Sequence, residues 1–263
     1  MTAKVALVTG GSQGIGLAAA TAFARRGYQV IAADVSVADG GGAGAADGGG
    51  AGLANGRGAG AGGPDLVAVH VDVTSRPGVD GLAQWMSSAF GRLDCLVTCA
   101  GVTGQHPSAS VSEESWSRVL TTHLDGTFRC CQAFYPLLVA AGDAAIVTIS
   151  SVVAGLGLPG RLSYATAKSG IEGLTRTLAV EWARDGIRVN AVAPGWTRTP
   201  PVEEAIRSGL VNEGHLTARI PMGRLAMPEE IARAIVFLGT SDSSYISGQV
   251  LIVDGCTSIA VST

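Results

Sequence analysis

The chain opens with three stretches that together admit few folds. Val5 to Thr9 is a short apolar run, consistent with a fully buried strand. Gly10-Gly11-Ser12-Gln13-Gly14-Ile15-Gly16 comes next, and an apolar-periodic helix pattern runs from Leu17 to about Arg26. In a strand–loop–helix context the glycines allow a tight turn and let a pyrophosphate approach the backbone. The helix N-terminus adds free N–H groups and partial positive charge. Gly10, Ser12, Gln13, Gly14, Ile15 and Gly16 are therefore candidate ligands of a dinucleotide.

Gln29 to Ala33 reads as a second strand, ending at Asp34. An acidic residue there is placed to hydrogen-bond an adenosine ribose and to repel a 2′-phosphate. Neither Ser12 nor Gln13 is a cation that would bind such a phosphate, so the residues favour NAD over NADP. Residues 39–63 are mostly Gly and Ala, and the backbone entropy of glycine opposes a helix. A flexible insertion is expected there, in place of a crossover helix.

Further strands are expected at Leu66–Val71, Leu93–Thr98, Ala145–Ser150, Ile187–Val192 and Gln249–Val253. Helical patterns lie between them. One runs from Val79 to Phe90 and is ended by Gly91. Another is capped by Ser112 and continues past His123 towards Leu138. A third opens at Tyr164 and ends near Arg184, and a fourth begins at Pro228-Glu229-Glu230. The alternation predicts an α/β chain: one domain over 1–263, a doubly wound parallel sheet with helices on both faces. Small residues after the fourth strand, Cys99-Ala100-Gly101, leave room for a cofactor in the crevice at the strand ends. Residues 200–225 have mixed polarity and weak period and are the natural substrate lid.

With 263 residues, 47% of them hydrophobic, the chain can bury a large core. A net charge of −3 gives no basic footprint for nucleic acid, and no apolar run is long enough to cross a bilayer. The N-terminus enters a strand at once, leaving no room for a signal peptide, so a cytoplasmic protein is expected. Cys95, Cys99, Cys130, Cys131 and Cys256 show no metal-binding spacing and are read as buried small hydrophobes in a reducing compartment.

The chemistry is carried by Ser151, Tyr164 and Lys168. Four residues separate the tyrosine from the lysine, so on a helix they share one face. A phenol has a pKa near 10, and an adjacent ammonium favours the phenolate. Lowering that pKa by about three units takes roughly 4 kcal/mol. Ser151, closing the fifth strand, is placed to hydrogen-bond an alcohol or carbonyl oxygen.

Taken together, Thr9-Gly10 to Gly16, Asp72-Val73, Ala100-Gly101, Ser151 to Tyr164 to Lys168, Asn190, and Pro194-Gly195 to Thr199 resemble the short-chain dehydrogenase/reductase family over nearly the whole chain. The resemblance implies a Rossmann-type fold and hydride transfer between nicotinamide and substrate carbon. It makes Tyr164 the general acid/base, with Lys168 lowering its pKa and binding the nicotinamide ribose, and Ser151 holding the substrate oxygen. It assigns the carboxamide to Thr199 with backbone around Pro194, Gly195 and Thr197. Ile15 would meet the diphosphate through its backbone, Asp72-Val73 would flank the adenine, and Ala100 and Gly101 would line the cofactor. It also implies a homotetramer.

Two departures bear on the site. Thr98-Cys99 stands where the family usually has two asparagines, and His123 where it often has one. The His123 carbonyl can serve a water relay to Lys168. Its ring is read either as a proton shuttle near neutral pH or as packing under the site. The leading expectation is an NAD-dependent oxidoreductase of a small-molecule secondary alcohol or its ketone. A 3-oxoacyl-thioester reductase is the runner-up. A dinucleotide-binding regulator without turnover is the reading from another class, which the intact Ser151, Tyr164 and Lys168 oppose.

Overall fold

The computed structural model describes residues 3–37 and 66–260. The strands are β1 (Val5–Thr9), β2 (Gln29–Asp34), β3 (Leu66–His70), β4 (Cys95–Thr98), β5 (Ala144–Ile149), β6 (Ile187–Pro194) and β7 (Val250–Val253). They form one sheet in the order β3-β2-β1-β4-β5-β6-β7, every pairing parallel. The helices are α1 (Gly14–Ala24), α2 (Arg76–Phe90), α3 (Glu113–Leu120), α4 (Gly126–Ala141), α5 (Leu162–Glu181), α6 (Pro200–Arg207), α7 (Glu213–Thr217) and α8 (Pro228–Gly239).

Alternation along each strand divides the core. Val5, Leu7, Ile31 and Leu96 face one side, where Leu82 and Met86 of α2 and Phe134 and Leu138 of α4 cover them. Ala6, Val8, Val30 and Val97 face the other, under Phe23 of α1 and Ile231 and Ile235 of α8. Both faces are buried, which is why these strands read as continuous apolar runs. The doubly wound sheet expected from the sequence is what forms. The glycine-rich stretch 39–63 lies outside the described residues.

Three local expectations change. The helix expected to run unbroken from Ser112 towards Leu138 is interrupted by a π-helical turn, Thr121–Asp125, between α3 and α4. One inserted residue shifts the ladder there, and such bulges recur at functional sites. The weakly periodic 200–225 stretch holds two short helices, α6 and α7, and Glu213 of α7 pairs with Arg198, which precedes α6. The cysteines are not uniformly buried. Cys95, Cys130 and Cys131 are, but Cys99 is half-buried just past β4. Cys256 is exposed in a left-handed conformation, φ 73°, in a turn held by Asp254 through Cys256 N at 2.9 Å and Ser258 N at 2.6 Å.

Candidate active site

Chain order reverses at β1, whose neighbours are β2 and β4, and a crevice opens there at the carboxyl ends of the strands. Thr9 ends β1, and its hydroxyl accepts the N–H groups of Cys99 (3.2 Å) and Ala100 (3.3 Å). That bridge closes the strand ends where asparagines were missed, with Thr127 donating to Thr98 at 3.4 Å beneath it. Gly10 has φ 67°, and a Cβ on it would lie 2.8 Å from the Ala100 backbone. A Cβ on Gly16 would overlap the Gly10 carbonyl oxygen. The loop and the first turn of α1 therefore pack backbone to backbone, presenting Gln13, Gly14 and Ile15 at the helix N-terminus.

Asp34 closes β2 beside this loop. Its carboxylate accepts from Ser12 N (3.2 Å), Ser12 Oγ (2.6 Å), Ser36 N (3.0 Å) and Ser36 Oγ (3.1 Å). Burial pushes its pKa up, but these hydrogen bonds outweigh it and the net shift is downward. A fixed negative charge results. Asp72 follows β3 and binds Thr74 N and Oγ1, both at 2.8 Å. Val73 is buried against the first turn of α4. Pro194 ends β6, followed by Gly195 and by Thr197, whose hydroxyl donates to Gly195 O at 3.1 Å. Thr199 caps α6, and its methyl would lie 3.3 Å from a Cβ on Gly14. Asn190 braces β6 to the approach to β7, donating to Ile246 O (2.8 Å) and accepting from Gln249 N (3.0 Å). Its role is structural.

At the β4–β5 end of the crevice, Ser151, His123, Tyr164 and Lys168 converge. Lys168 Nζ stands 5.5 Å from the centre of the Tyr164 ring and donates to Ile149 O at 2.6 Å. His123 meets Tyr164 edge to face, centroids 5.2 Å apart. A Cβ on Gly101 would overlap the His123 ring, so only glycine leaves room for this imidazole.

Burial raises the Tyr164 pKa, opposed by the Ser151 hydroxyl and by the charge of Arg161. The sequence expectation that Lys168 would pull the phenol down is not what dominates here. Burial instead acts on both groups and brings the Lys168 ammonium down to about 8. Burial, with Lys168 beside it, takes His123 down to about 3, so its imidazole is neutral near pH 7. Cys99 is pushed up to about 11 by burial and stays a thiol. Sequence reasoning missed Thr9 and Arg161. The signals were a polar residue ending an apolar strand, and a cation three residues before the tyrosine.

The arrangement fits a dinucleotide. It offers a cradle that a Cβ would fill, a helix N-terminus for a pyrophosphate, a carboxylate at the far end and a buried ammonium near the phenol. No helix among the described residues is long and apolar enough to cross a membrane.

Residues 10–258 match a family model described as enoyl-(acyl carrier protein) reductase. The chain is 37% identical over 255 residues to a 3-oxoacyl-[acyl-carrier-protein] reductase of Thermotoga maritima, covering 96% of each. It is 39% identical over 257 residues to a cis-4-hydroxycyclohexanecarboxylate dehydrogenase of Sinomonas cyclohexanicum, covering 96% of this chain and 95% of the relative. Its structure superposes on the ligand-free aldohexose dehydrogenase of Thermoplasma acidophilum with a TM-score of 0.85 and 28% identity, over 99% of this chain and 97% of the other. The chain belongs to the short-chain dehydrogenase/reductase family, oxidoreductases that use a nicotinamide dinucleotide on hydroxyl and keto groups.

Proposed function

We propose that this protein interconverts a secondary alcohol and its ketone with NAD(H), Tyr164 exchanging the proton with the substrate oxygen. The observation that carries the reading is the convergence of Ser151, Tyr164 and Lys168 at one end of a crevice whose other end holds the glycine loop and Asp34. A half-buried phenol with a raised pKa is a proton donor at neutral pH, suited to reduction. Oxidation needs the phenolate and speeds up as pH rises. Ser151, 8% exposed, offers its hydroxyl to the substrate oxygen beside Tyr164. Lys168 is held by Ile149 O, so its ammonium stays over the crevice, available to a ribose hydroxyl. When bound, the cofactor gives or takes the hydride.

Asp34 favours NAD because its anchored negative charge would repel a 2′-phosphate. His123 packs against Tyr164 and holds the Gly101–Val102 backbone. The α6–α7 stretch serves as the lid. Exposed Leu251 and Ile252 on the edge strand β7, with Phe237 on α8, suit a homotetramer. The second reading is a 3-oxoacyl-thioester reductase, favoured by the Thermotoga relative.

Tyr164→Phe tests the chemistry. Turnover of a ketone panel should fall about 10²- to 10⁴-fold, while NADH fluorescence titration shows nearly unchanged binding. Substantial residual turnover would remove Tyr164 from the proton-exchanging role.

A further inference from the structure

Charge on the arginines below the surface is answered nearly everywhere. Arg92 pairs with Asp94 at 2.6 Å, Arg129 with Asp125 at 3.7 Å, and Arg198 with Glu213. Arg188 divides its guanidinium among Leu238 O, Thr240 O, and the carbonyl and hydroxyl of Ser243. Arg161 differs. It is half-buried, and the one side-chain hydrogen bond it makes among the described residues runs from NH1 to Gly104 O at 3.1 Å. A guanidinium carries five N–H donors, and withdrawing it from water unpaired costs free energy.

Its position supplies the reason. Arg161 is the N-cap of α5, and Tyr164 lies three residues on, in the first turn of that helix. Arg161 is near enough to act on the phenol electrostatically. It also ties the loop after β5 to the loop after β4, which meet again through His106 N and Gly160 O at 3.0 Å. Arg118 donates to that second loop at Thr103 O, 3.2 Å, and has no carboxylate partner among the described residues. Residues 101–112 and 151–163 contain no Asp or Glu. These two loops beside Tyr164 thus carry Arg161 with no acid of their own, the nearest acids of the lid being Glu203 and Glu204 on α6 and Glu213 on α7.

We propose that Arg161 binds a carboxylate of the substrate, and that the alcohol handled here is a small hydroxy acid. The inference rests on the reading of Tyr164 as the proton-exchanging residue. A planar guanidinium suits a carboxylate through two parallel hydrogen bonds. Arg161 at the N-cap and Tyr164 in the first turn suit an anion a few bonds from the reacting carbon. The phosphate of a thioester carrier arm lies much farther from its keto group. The geometry therefore selects the hydroxy-acid class over the acyl-carrier class.

Binding needs no turnover and so separates this inference from the catalytic one. The protein with bound NADH is titrated, by nicotinamide fluorescence, with butyrate and cyclohexanecarboxylate and with the corresponding uncharged amides. A carboxylate should bind about 10- to 100-fold more tightly than its amide, the range of a charge-assisted hydrogen bond. Arg161→Gln should erase that preference while amide binding is little changed, and Arg161→Lys should keep part of it. No preference for carboxylate across the panel, or a preference that survives in Arg161→Gln, overturns the proposal. A carboxylate preference in a protein whose Tyr164→Phe variant still turns over would leave the inference standing and remove the proton-exchange reading.

Discussion

Nε2 of His123 lies 2.8 Å from the carbonyl oxygen of Val102 and 3.2 Å from the N–H of the same residue. One nitrogen cannot serve both. If Nε2 carries the proton it donates to the carbonyl, and the Val102 N–H loses its acceptor. If Nε2 is bare the reverse holds. The other ring nitrogen, Nδ1, is buried without a partner. The imidazole therefore holds the loop beside Tyr164 with Nδ1 and one of the two Val102 groups unmet in either tautomer.

An asparagine side chain has both a donor and an acceptor. His123→Asn should satisfy both Val102 groups and raise the unfolding free energy by about 1 kcal/mol, offset in part by the smaller volume. Acid should sharpen the difference. The folded-state pKa of His123, about 3, lies below the 6.5 of the free ring, so the unfolded chain takes the proton first. Stability from this residue is present above pH 6.5 and is lost as pH falls towards 3. Denaturant melts of both proteins across that window should diverge. Parallel curves would mean the ring is not buried neutral.

Lys168 acts in the same direction over a more alkaline window. Its folded pKa, about 8, is below the ordinary 10.5, so between these values the unfolded chain holds a proton the folded one has released. Stability should rise with pH across that interval. Lys168→Met should abolish this rise and lose turnover, while leaving Ile149 O without its 2.6 Å partner. The check is unfolding free energy of both proteins at pH 7 and above pH 10. A difference that does not change with pH would show that the ammonium is solvated.

Asp34→Ala removes the negative charge and its four hydrogen bonds to Ser12 and Ser36. NADH affinity should fall about tenfold, the scale of one lost charged hydrogen bond. NADPH affinity should rise as the repulsion disappears. Paired fluorescence titrations read both, and an unchanged ratio would place ribose recognition elsewhere.

Much of the crevice was legible because it depends on short-range rules. Glycines at 10 and 16 are required wherever a strand turns into a helix with backbones in contact. Asp34, Ala100, Ser151 and Pro194 each stand at or just past a strand end that apolar runs mark. The π-helical turn at Thr121–Asp125 was not legible, since one inserted residue leaves the apolar period on both sides intact. Nor was the exposure of Cys256, set by how Asp254 folds the turn after β7.

Sequence alone determined the doubly wound sheet, the glycine cradle and the four-residue spacing of Tyr164 and Lys168. Periodicity and local backbone sterics need no knowledge of distant neighbours. Only the tertiary structure decided the charge state of the site. The downward shift of Lys168, the neutrality of His123, the upward shift of Tyr164 and the isolation of Arg161 all depend on which groups surround each atom and how much water remains. Burial and long-range pairing come from residues far apart in the chain, and their energies act through space.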